Sequence, residues 1–512
     1  MSLKSRLARN WARQSASADF ARSADPIAAQ RRQLDALLAA GADTAFGRDH
    51  GLAAVRDLPA DDADAGARER AFVAAVPTRD YEALRPYLDR AVAGEQNVLW
   101  PGLPQYFCKT SGTTSGAKYI PITKDSLPNH IGSARRALLH HIHHSGNAEF
   151  VGGKMIFLQG SPALEKTPGG TPMGRLSGIV AHHVPRYLQA QRLPSWSANL
   201  IEDWERKVDV IVEETATQDM RLISGIPSWI QMYFERLLEH TGAANIKEVF
   251  PNFSLFVFGG VALAPYADRF RQLIGEDVPT VEIYPASEGF IAYQAGDAEQ
   301  GLLLNVDDGI HYGFVPVDRY GDPDAPTLGL SEVEIGVQYA LILSTNAGLW
   351  RYDIGDTVRF TSLAPARIVV TGRVKHFTSA FGEHVIAEEV EAAMASAIVE
   401  TGAEVSEFHV APEVAPEQGL PHHIWAVEFI RPPHNVEEFA ASLDENLQAK
   451  NPYYRNLIQG AVLRPAQVVQ VAHGAFLGVM AARGKLGGQN KIPRLANDRK
   501  MLDQILQAAQ HV

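Results

Sequence analysis

Seven consecutive residues near the start of the chain are all glycine or hydroxyl-bearing. The run is Thr110-Ser111-Gly112-Thr113-Thr114-Ser115-Gly116, with Lys109 before it and Lys118 after it. It is poor helix and strand material, because Ser and Thr compete for backbone hydrogen bonds and glycine loses entropy when fixed. Its N–H and O–H donors could converge on one anion, and the flanking lysines add charge. The run lacks the Gly-Lys-Ser/Thr of a Walker loop, so it predicts a phosphate-binding loop of another type or, alternatively, a solvated linker.

Carboxylates and lysines further along the chain could complete such a site. Glu288 follows a strand-like stretch in YPASEGF (284–290), and Asp356 ends GLWRYDIGD (348–356), with Asp353 as its rival. Carboxylate oxygens suit Mg²⁺ or hydroxyl groups. A lysine is a compact charge on a flexible stem, and two lysines, Lys485 and Lys491, lie in or beside GGQNKIPR (487–494). Taken singly, each of these residues is more typical of a turn or a solvated surface.

The cysteine and histidine content argues against disulfide and thiolate-metal chemistry. Cys108 is the only cysteine, and it is predicted to be a buried strand-end residue, not a nucleophile. His140, His143 and His144 have helical spacing that could bind a metal, but a polar helix end is the favoured interpretation. The pairs His182-His183 and His422-His423 are expected to be structural or on the surface.

Composition places these residues in an ordinary globular protein. The chain has 512 residues, of which 46% are hydrophobic and 21% charged, and two to four domains are expected. Its net charge is −12, without a long basic block, so neither nucleic acid nor an anionic membrane is expected as the main partner. No apolar run approaches a membrane span of roughly 18 residues, and the basic N-terminus lacks a signal-peptide core. We therefore expect a cytoplasmic protein.

The elements that must position the candidate residues change type along the chain. The first hundred residues have apolar residues at helical spacing and predict a helical lead-in. Short apolar runs then alternate with helices; they are KMIFLQG (154–160), MRLISG (220–225), FSLFVFGG (253–260) and VPTVEIYPASEG (278–289). This alternation predicts an α/β fold with a largely parallel sheet.

After residue 300 the pattern becomes rich in strands and predicts an antiparallel or β-barrel-like part. Beyond Gly372 a small α+β unit is expected, with helices around 385–400 and near 436–449. The polar stretch 371–382 would contain the boundary. The predicted domains are therefore residues 1–372 and residues 373–512.

The motifs also carry a resemblance to a known family. TSGTTSGAK resembles the phosphate loop of the adenylate-forming ligases, the superfamily of acyl-CoA synthetases, luciferases and peptide-synthetase adenylation domains. With YPASEGF, GLWRYDIGD and GGQNKIPR in this order, and with NPYYRNL (451–457) and TAFGRDHGL (44–52), nearly the whole chain resembles the auxin- and jasmonate-conjugating acyl acid–amido synthetases of plants and their bacterial relatives.

This resemblance implies a site with named roles. Phosphate binding is implied for Ser111, Gly112, Thr113, Thr114, Ser115, Gly116 and Lys118. Nucleotide binding is implied for Gly259, Gly260, Val261, Tyr284, Pro285, Ala286, Ser287, Asp356, Arg373 and Lys375. Glu288 would bind Mg²⁺, and Lys491, with Lys485 as its rival, would reach the α-phosphate and the carboxylate. Residues 373–512 would form a mobile lid. Two departures from the family pattern are Ala286, where a second Ser is common, and Lys118, which lies one residue nearer the loop.

The implied reaction has two steps, with ATP and Mg²⁺ required. An acyl acid and ATP give an acyl-adenylate and pyrophosphate, and an amine, expected to be an amino acid, then attacks and releases AMP. The alternatives are an acyl-CoA ligase with a thiol acceptor and a catalytically silent nucleotide-binding protein. The acyl pocket is expected among the helices between residues 120 and 240, and the chain is expected to be a monomer.

Overall fold

The structure is a computed structural model. It describes residues 3–59, 66–110, 118–201, 204–260, 263, 266–374, 377–378, 385–414, 416, 419–459, 462–483, 492–496 and 498–508. The chain divides into two compact units, the first formed by Met1–Gly260 and Ile274–Val369 and the second by Val261–Leu273 and Val370–Val512. The boundary at 372/373 stays a prediction, because compactness does not test whether each part folds alone.

The first hundred residues form helices, as their apolar spacing predicts. These helices are α1 (Leu3–Arg22), α2 (Pro26–Gly41), α3 (Ala45–Asp49), α4 (Leu52–Arg56), α5 (Ala67–Ala75) and α6 (Tyr81–Val92). Helix α2 begins where the Asp25 carboxylate accepts a hydrogen bond from the Ala28 N–H, with Pro26 in the first turn. The buried Gln30 amide of α2 donates to the carbonyls of Val306 and Ile310. These bonds attach the N-terminal helices to the segment that leads into β12 and to β12 itself.

The elements from residue 100 to residue 373 alternate at first and then become strands. In chain order they are β1 (Tyr106–Thr110), β2 (Lys118–Ile122), α7 (Leu127–Ser145), β3 (Lys154–Phe157), β4 (Glu165–Lys166), β5 (Pro172–Gly174), α8 (Leu176–Ala181), α9 (Arg186–Gln189), β6 (Arg192–Leu193), α10 (Trp196–Asn199), α11 (Trp204–Thr215), β7 (Met220–Gly225), α12 (Pro227–Thr241), α13 (Ile246–Val249), β8 (Leu255–Gly259), α14 (Ala267–Ile274), β9 (Thr280–Pro285), β10 (Phe290–Gln294), β11 (Leu302–Leu304), β12 (Ile310–Pro316), β13 (Gln338–Thr345), β14 (Tyr352–Leu363) and β15 (Ala366–Arg373).

One sheet of eleven strands dominates the first unit, in the order β12-β13-β14-β15-β11-β10-β9-β8-β7-β3-β6. Strands β6, β3, β7, β8 and β9 are parallel, and helices connect them. Their apolar runs are buried, as in β8, where Leu255 through Phe258 are all buried. Such runs fit a strand covered on both faces, and the predicted parallel sheet is confirmed.

The strands after residue 286 run antiparallel and extend this same sheet. β10 turns back on β9 and pairs with β11, β11 pairs with β15, and β13 pairs with both β12 and β14, all of them antiparallel. The predicted antiparallel character is therefore present, whereas a separate barrel-like sheet is not formed by the described residues, because β10 continues the ladder of β9. A second sheet, in the order β2-β1-β5-β4, carries the flanks of the hydroxyl-rich run.

The second unit contains the predicted α+β elements. After α14 they are β16 (Phe377–Thr378), β17 (Val385–Ile386), α15 (Ala387–Thr401), β18 (Glu404–Glu413), β19 (His422–Arg431), α16 (Val436–Lys450), α17 (Pro452–Gln459), β20 (Gln467–Val471), α18 (Ala475–Ala482) and α19 (Lys500–Ala508). Strands β18, β19 and β20 form a sheet, and Trp425 and Phe439 are fully buried against it. Gln272 of α14 donates to Glu404 at 3.2 Å. No helix in the described ranges has both the length and the apolar character needed to cross a bilayer.

Candidate active site

The carboxyl ends of β8 and β9 lie side by side, and both carry predicted nucleotide-binding residues. Gly259 ends β8 and pairs with Ile283 of β9 in parallel register. A Cβ at Gly259 would lie 2.3 Å from the Ile283 carbonyl oxygen, and Gly260 has a φ of +86°. Both positions therefore require glycine, which leaves the backbone open at an edge where α/β sheets bind ligands. Val261 lies outside the described residues.

A tight turn follows β9 and presents the Ser287 and Glu288 side chains. The Ala286 N–H donates to the Gly289 carbonyl at 2.9 Å, and the Gly289 N–H donates back to the Ala286 carbonyl at 3.3 Å. Pro285 is the last residue of β9, and β10 begins directly after the turn. Glu288 thus lies at the reversal between the parallel and the antiparallel halves of the sheet.

A hydrogen bond across the sheet joins two of the predicted residues. The Tyr284 hydroxyl donates to Oδ2 of Asp356 at 2.6 Å. The rival Asp353 accepts hydrogen bonds from the Tyr320 hydroxyl and from the Gly355 N–H. Burial and the Asp353 charge raise the pKa of the Tyr320 phenol. Asp353 is thus engaged in holding the bend at Gly355, which has a φ of +78°.

Cys108 connects this turn to the strand that leads into the hydroxyl-rich run. Its thiol donates to the Ser287 hydroxyl at 3.1 Å, and the side chain is 1% exposed. Burial raises the pKa of the thiol to about 12, so it is neutral at physiological pH. The predicted burial of Cys108 is confirmed, although the residue lies in the middle of β1 and not at its end. The contact with Ser287 has no signal in the sequence, because the two residues are 179 positions apart.

The hydroxyl-rich run joins the two strands of a hairpin. Thr110 ends β1 and pairs with Lys118, the first residue of β2. Lys118 Nζ lies 5.5 Å from the centre of the Tyr81 ring, a cation–π distance. The predicted phosphate-binding residues between these strands lie outside the described residues; they are Ser111, Gly112, Thr113, Thr114, Ser115 and Gly116. Their role, and that of Lys118, stays a prediction.

Three cationic residues near or after the end of β15 are predicted to belong to the site. Arg373 is the last residue of β15 and has an exposed side chain, whereas Lys375 and Lys491 lie outside the described residues. The chain just after Lys491 is fixed to β18 of the second unit. The Val410 N–H donates to the Arg494 carbonyl at 2.9 Å, and a ring nitrogen of His409 lies 2.7 Å from the Pro493 carbonyl oxygen.

The Arg494 side chain also attaches the segment after Lys491 to the second unit. It is 7% exposed, donates to the Tyr266 hydroxyl at 2.7 Å, and forms ion pairs with Glu391 and Glu407. Its guanidinium also lies 4.5 Å from the centre of the Phe408 ring. The sequence analysis assigned no role to this arginine.

The histidine cluster of α7 does not form a metal site within the described ranges. The buried His140 lies 2.9 Å from an Asp19 oxygen of α1, and His144 lies 2.9 Å from Asp297. His143 is exposed. No group of three or more potential ligands that could hold a metal ion occurs among the described residues. The preferred interpretation of these histidines as polar helix residues is consistent with this arrangement.

Sequence comparison assigns the chain to a family. Profiles of the GH3 family N-terminal, central and C-terminal domains match residues 21–199, 303–373 and 388–500. The chain belongs to the GH3 family. The expected resemblance to acyl acid–amido synthetases is thereby confirmed.

Two curated GH3 relatives illustrate the degree of similarity. The chain is 24% identical to a probable indole-3-acetic acid-amido synthetase of Oryza sativa subsp. japonica over 561 aligned positions, covering 91% of this chain and 88% of the rice protein. It is 23% identical to a jasmonoyl–L-amino acid synthetase of Nicotiana attenuata, covering 56% of this chain and 60% of that protein. The second match thus spans less than two thirds of the relative's length.

Solved structures confirm the predicted fold. An acyl acid amido synthetase in complex with 2,4-DB, AtGH3.15, superposes with a TM-score of 0.77 at 16% identity, covering 97% of this chain and 96% of that one. A 2-hydroxyisobutyryl-CoA ligase in the postadenylation state superposes with a TM-score of 0.59 at 14% identity, covering 94% and 92%. The GH3 chain therefore has the adenylate-forming ligase fold.

Proposed function

We propose that this GH3 chain is an ATP-dependent ligase that adenylates an acyl acid and transfers the acyl group to an amine, expected to be an amino acid. The observation that carries the proposal is the match to all three GH3 domains in order along one chain. The rice and Nicotiana relatives, named for amido synthesis, lend support. Monomeric state and cytoplasmic location stay predictions.

The first step forms a mixed anhydride. A carboxylate oxygen of the acyl acid attacks the α-phosphorus of ATP, the bond to the bridging oxygen breaks, and pyrophosphate leaves. We assign Asp356, oriented by the Tyr284 hydroxyl, to the ribose hydroxyls, since a carboxylate accepts hydrogen bonds at both oxygens. The glycines at the end of β8 would allow backbone contact with the adenine. Lys491 would neutralise charge on the α-phosphate as the bond forms.

The residues present fit a magnesium ion held largely by substrate. Glu288 offers a hard oxygen ligand at the turn after β9, and no cluster of three ligands occurs in the described part of the chain. One protein carboxylate is sufficient, because Mg²⁺ is commonly bound by one or two carboxylates together with substrate phosphates. When bound, Mg²⁺ would neutralise phosphate charge.

The second step is aminolysis. The amine nitrogen attacks the acyl carbon, the bond between that carbon and the phosphate oxygen breaks, and AMP leaves while the nitrogen loses a proton. No enzyme nucleophile is required, which agrees with a Cys108 thiol that burial keeps neutral. Changing the leaving group from hydroxide to AMP lowers the barrier to attack by the amine, and cleavage of ATP to AMP and pyrophosphate supplies the free energy for amide formation.

The test is a screen of carboxylic acids by pyrophosphate release in the presence of ATP and Mg²⁺. We expect release that depends on the acid, followed by consumption of the adenylate when free amino acids are added. Coenzyme A is the control acceptor, and discharge by its thiol in place of amines would indicate an acyl-CoA ligase. Absence of acid-dependent pyrophosphate release across the screen would contradict the adenylation step itself.

A further inference from the structure

Helix α1 exposes a stripe of large apolar side chains to solvent. Leu3, Leu7 and Trp11 are spaced four residues apart, so they lie on the same side of the helix. They are 73%, 61% and 45% exposed. Single exposed apolar residues are normal on a protein surface, whereas three that adjoin on one helix indicate a surface that binds a partner.

The opposite face of α1 is buried and holds the helix in this orientation. Ser5, Ala12 and Ala16 are buried there. The carboxylate of Asp19, which is also buried, lies 2.9 Å from a ring nitrogen of His140 on α7. Turning the apolar stripe inward would break this contact and expose these residues. The stripe is therefore held on the outer surface of the first unit.

Exposed cations border the stripe. On a helix of 3.6 residues per turn, Arg6 and Arg13 lie along one side of the stripe and Lys4 lies on the other. Arg135 of α7 adds a fourth cation, because its guanidinium lies 5.4 Å from the centre of the Trp11 ring. All four cations are exposed, and none of them pairs with a carboxylate in the part of the chain that the structure describes.

The charge of this region is opposite in sign to that of the whole chain, which is −12. Helices α1 and α7 together contain seven lysines and arginines and a single carboxylate, that of the buried Asp19. Two of these cations, Arg22 and Arg136, form ion pairs with Asp307 and Asp308. The four cations beside the apolar stripe remain as a local basic surface. A local field of this kind attracts an anionic partner even when the net charge is negative.

This combination of side chains favours a lipid bilayer over other anionic partners. Nucleic acid would match the cations, but its charged backbone is a poor partner for exposed leucines. A second copy of the same surface would bring the cations of both chains together. In a helix that lies at a membrane interface, leucine enters the acyl boundary, tryptophan lies at headgroup level, and lysine and arginine contact anionic lipid. The exposed face of α1 contains all of these residue types.

We propose that the exposed face of α1 is a peripheral binding surface for bilayers that contain anionic lipid. The four cations contact the lipid headgroups, and the apolar stripe enters the boundary between the headgroups and the acyl chains. Helix α1 lies flat on the bilayer, because its other face is packed against α7. This inference is independent of the proposed ligase activity.

The test is sedimentation of the full chain with phosphatidylcholine vesicles of which one third of the lipid is phosphatidylserine. We expect the protein to sediment with these vesicles and to remain in the supernatant with pure phosphatidylcholine. Raising the salt concentration from about 0.1 M to about 1 M shortens the Debye length from about 10 Å to about 3 Å and should release the protein. Absence of binding to the anionic vesicles, or equal binding to both compositions, would overturn the proposal.

A double variant tests the cations. Arg6→Gln combined with Arg13→Gln removes two charges from exposed positions and keeps good helix formers there. The partition coefficient onto anionic vesicles should fall about 25-fold, or about fivefold for each cation. Arg236→Gln combined with Arg271→Gln is the matched control, because these arginines are also exposed and lie on α12 and α14. An equal loss in the control would show a response to net charge alone and would contradict a site on α1.

A single variant tests the apolar stripe. Leu7→Gln should weaken binding to the same vesicles about tenfold, the value of burying one leucine side chain. Val399→Gln, at an exposed apolar residue of α15, is the control and should bind as the parent does. Both variants should unfold at the temperature of the parent, because neither side chain is buried. Unchanged vesicle binding by Leu7→Gln would contradict insertion of the stripe.

Fluorescence quenching by brominated lipid locates the contact. The chain has seven tryptophans, and we expect quenching that Trp11→Phe abolishes. Trp196→Phe is the matched control, because this tryptophan is about as exposed as Trp11, and the variant should retain the quenching. Quenching that survives in Trp11→Phe would place the membrane contact elsewhere and overturn the assignment to α1.

Sedimentation velocity without lipid distinguishes the bilayer from a second copy of the chain. The parent and Leu7→Gln should sediment identically at every protein concentration. A concentration-dependent dimer of the parent that Leu7→Gln dissociates would assign the stripe to self-association and overturn the proposal.

Discussion

The Tyr284 hydroxyl and the Asp356 carboxylate are joined by a hydrogen bond of 2.6 Å, although 72 positions separate them in the chain. Tyr284 is near the end of a parallel strand and Asp356 lies within an antiparallel one. The bond therefore connects the two halves of the large sheet at the place where we propose that the ribose binds. It contributes to the orientation of the Asp356 carboxylate.

This relationship predicts the behaviour of Tyr284→Phe. Loss of the hydroxyl should raise the ATP dissociation constant about threefold to tenfold, the value of one net hydrogen bond, measured by calorimetry. In an Asp356→Ala background the same change should have no further effect, since the bond no longer exists. Tyr320→Phe is the matched control, because that hydroxyl donates to Asp353. Weaker ATP binding in Tyr320→Phe alone would move the ribose contact to Asp353.

A second prediction concerns Glu288. Replacing it with Gln removes the charge that favours Mg²⁺ while keeping the shape of the side chain. The Mg²⁺ concentration for half-maximal pyrophosphate release should rise about tenfold or more. Replacing a residue that only supports a metal ligand already weakens metal binding by about that factor. Glu299→Gln, an exposed glutamate in a short helical turn, is the control. Identical magnesium curves for Glu288→Gln and the parent would remove Glu288 from the metal site.

The role of Lys491 predicts a separation between binding and chemistry. Lys491→Ala should lower ATP–pyrophosphate exchange by about 10²–10³-fold, the usual effect of removing one transition-state donor. Its affinity for ATP, measured by calorimetry, should change little. Lys485→Ala has the same loss of charge in the same segment and should retain exchange. If Lys485→Ala loses exchange and Lys491→Ala does not, the assignment of the two lysines is reversed.

Arg494 predicts a large effect on stability. Arg494→Met leaves the partly buried carboxylates of Glu391 and Glu407 without this cation, which should lower the free energy of unfolding, measured in urea, by about 3 kcal/mol. Tyr266→Phe removes only the hydroxyl that accepts from Arg494 and should cost about 1 kcal/mol. Arg431→Met is the control, because Arg431 pairs with Glu404 and its side chain is 62% exposed. Removal of this ion pair should lower the free energy of unfolding by less than about 1 kcal/mol. Similar losses for Arg494→Met and Arg431→Met would contradict the anchoring role.

Lys207 predicts a pH dependence. Burial lowers its pKa from 10.5 to about 8, so between these values the unfolded chain holds a proton that the folded protein has released. The unfolded state then binds more protons, and the contribution of Lys207 to the free energy of unfolding rises with pH across this window. Urea unfolding at pH 8 and pH 10 should show the parent gaining stability relative to Lys207→Met. The free energy of unfolding of Lys500→Met, which replaces an 84% exposed lysine, should change with pH as that of the parent does. The same pH dependence in Lys207→Met would contradict the lowered pKa of Lys207.

Local patterns predicted the elements of this fold well, because burial on both faces leaves continuous apolar runs. The strand after Phe253 and the buried Cys108 both follow from such patterns. The chain reverses direction at the turn after β9. Periodicity predicts the strand that follows this turn, but it does not predict which sheet that strand joins. The single eleven-stranded sheet could therefore not be distinguished from a separate barrel.

Contacts between distant residues could not be read from the sequence. The motif residues Tyr284 and Asp356 were predicted for one site, yet the hydrogen bond between them depends on strand register. Arg175 and Lys207 each resemble an ordinary surface cation in the sequence. Only the fold places Arg175 beside Gly160 and Lys207 within hydrogen-bond distance of the Gln159 carbonyl, where burial lowers the pKa of both side chains.

The grouping of α14 with the C-terminal residues has a practical consequence for anyone who wishes to express that part by itself. A fragment beginning at residue 370 would contain Arg494 but neither Tyr266 nor the helix that bears Gln272, both of which precede the central strands in the chain. Such a fragment would expose the surface that these residues cover. A workable fragment must therefore carry the earlier segment with it, for example fused through a flexible linker, because neighbours in this unit are not neighbours in the chain.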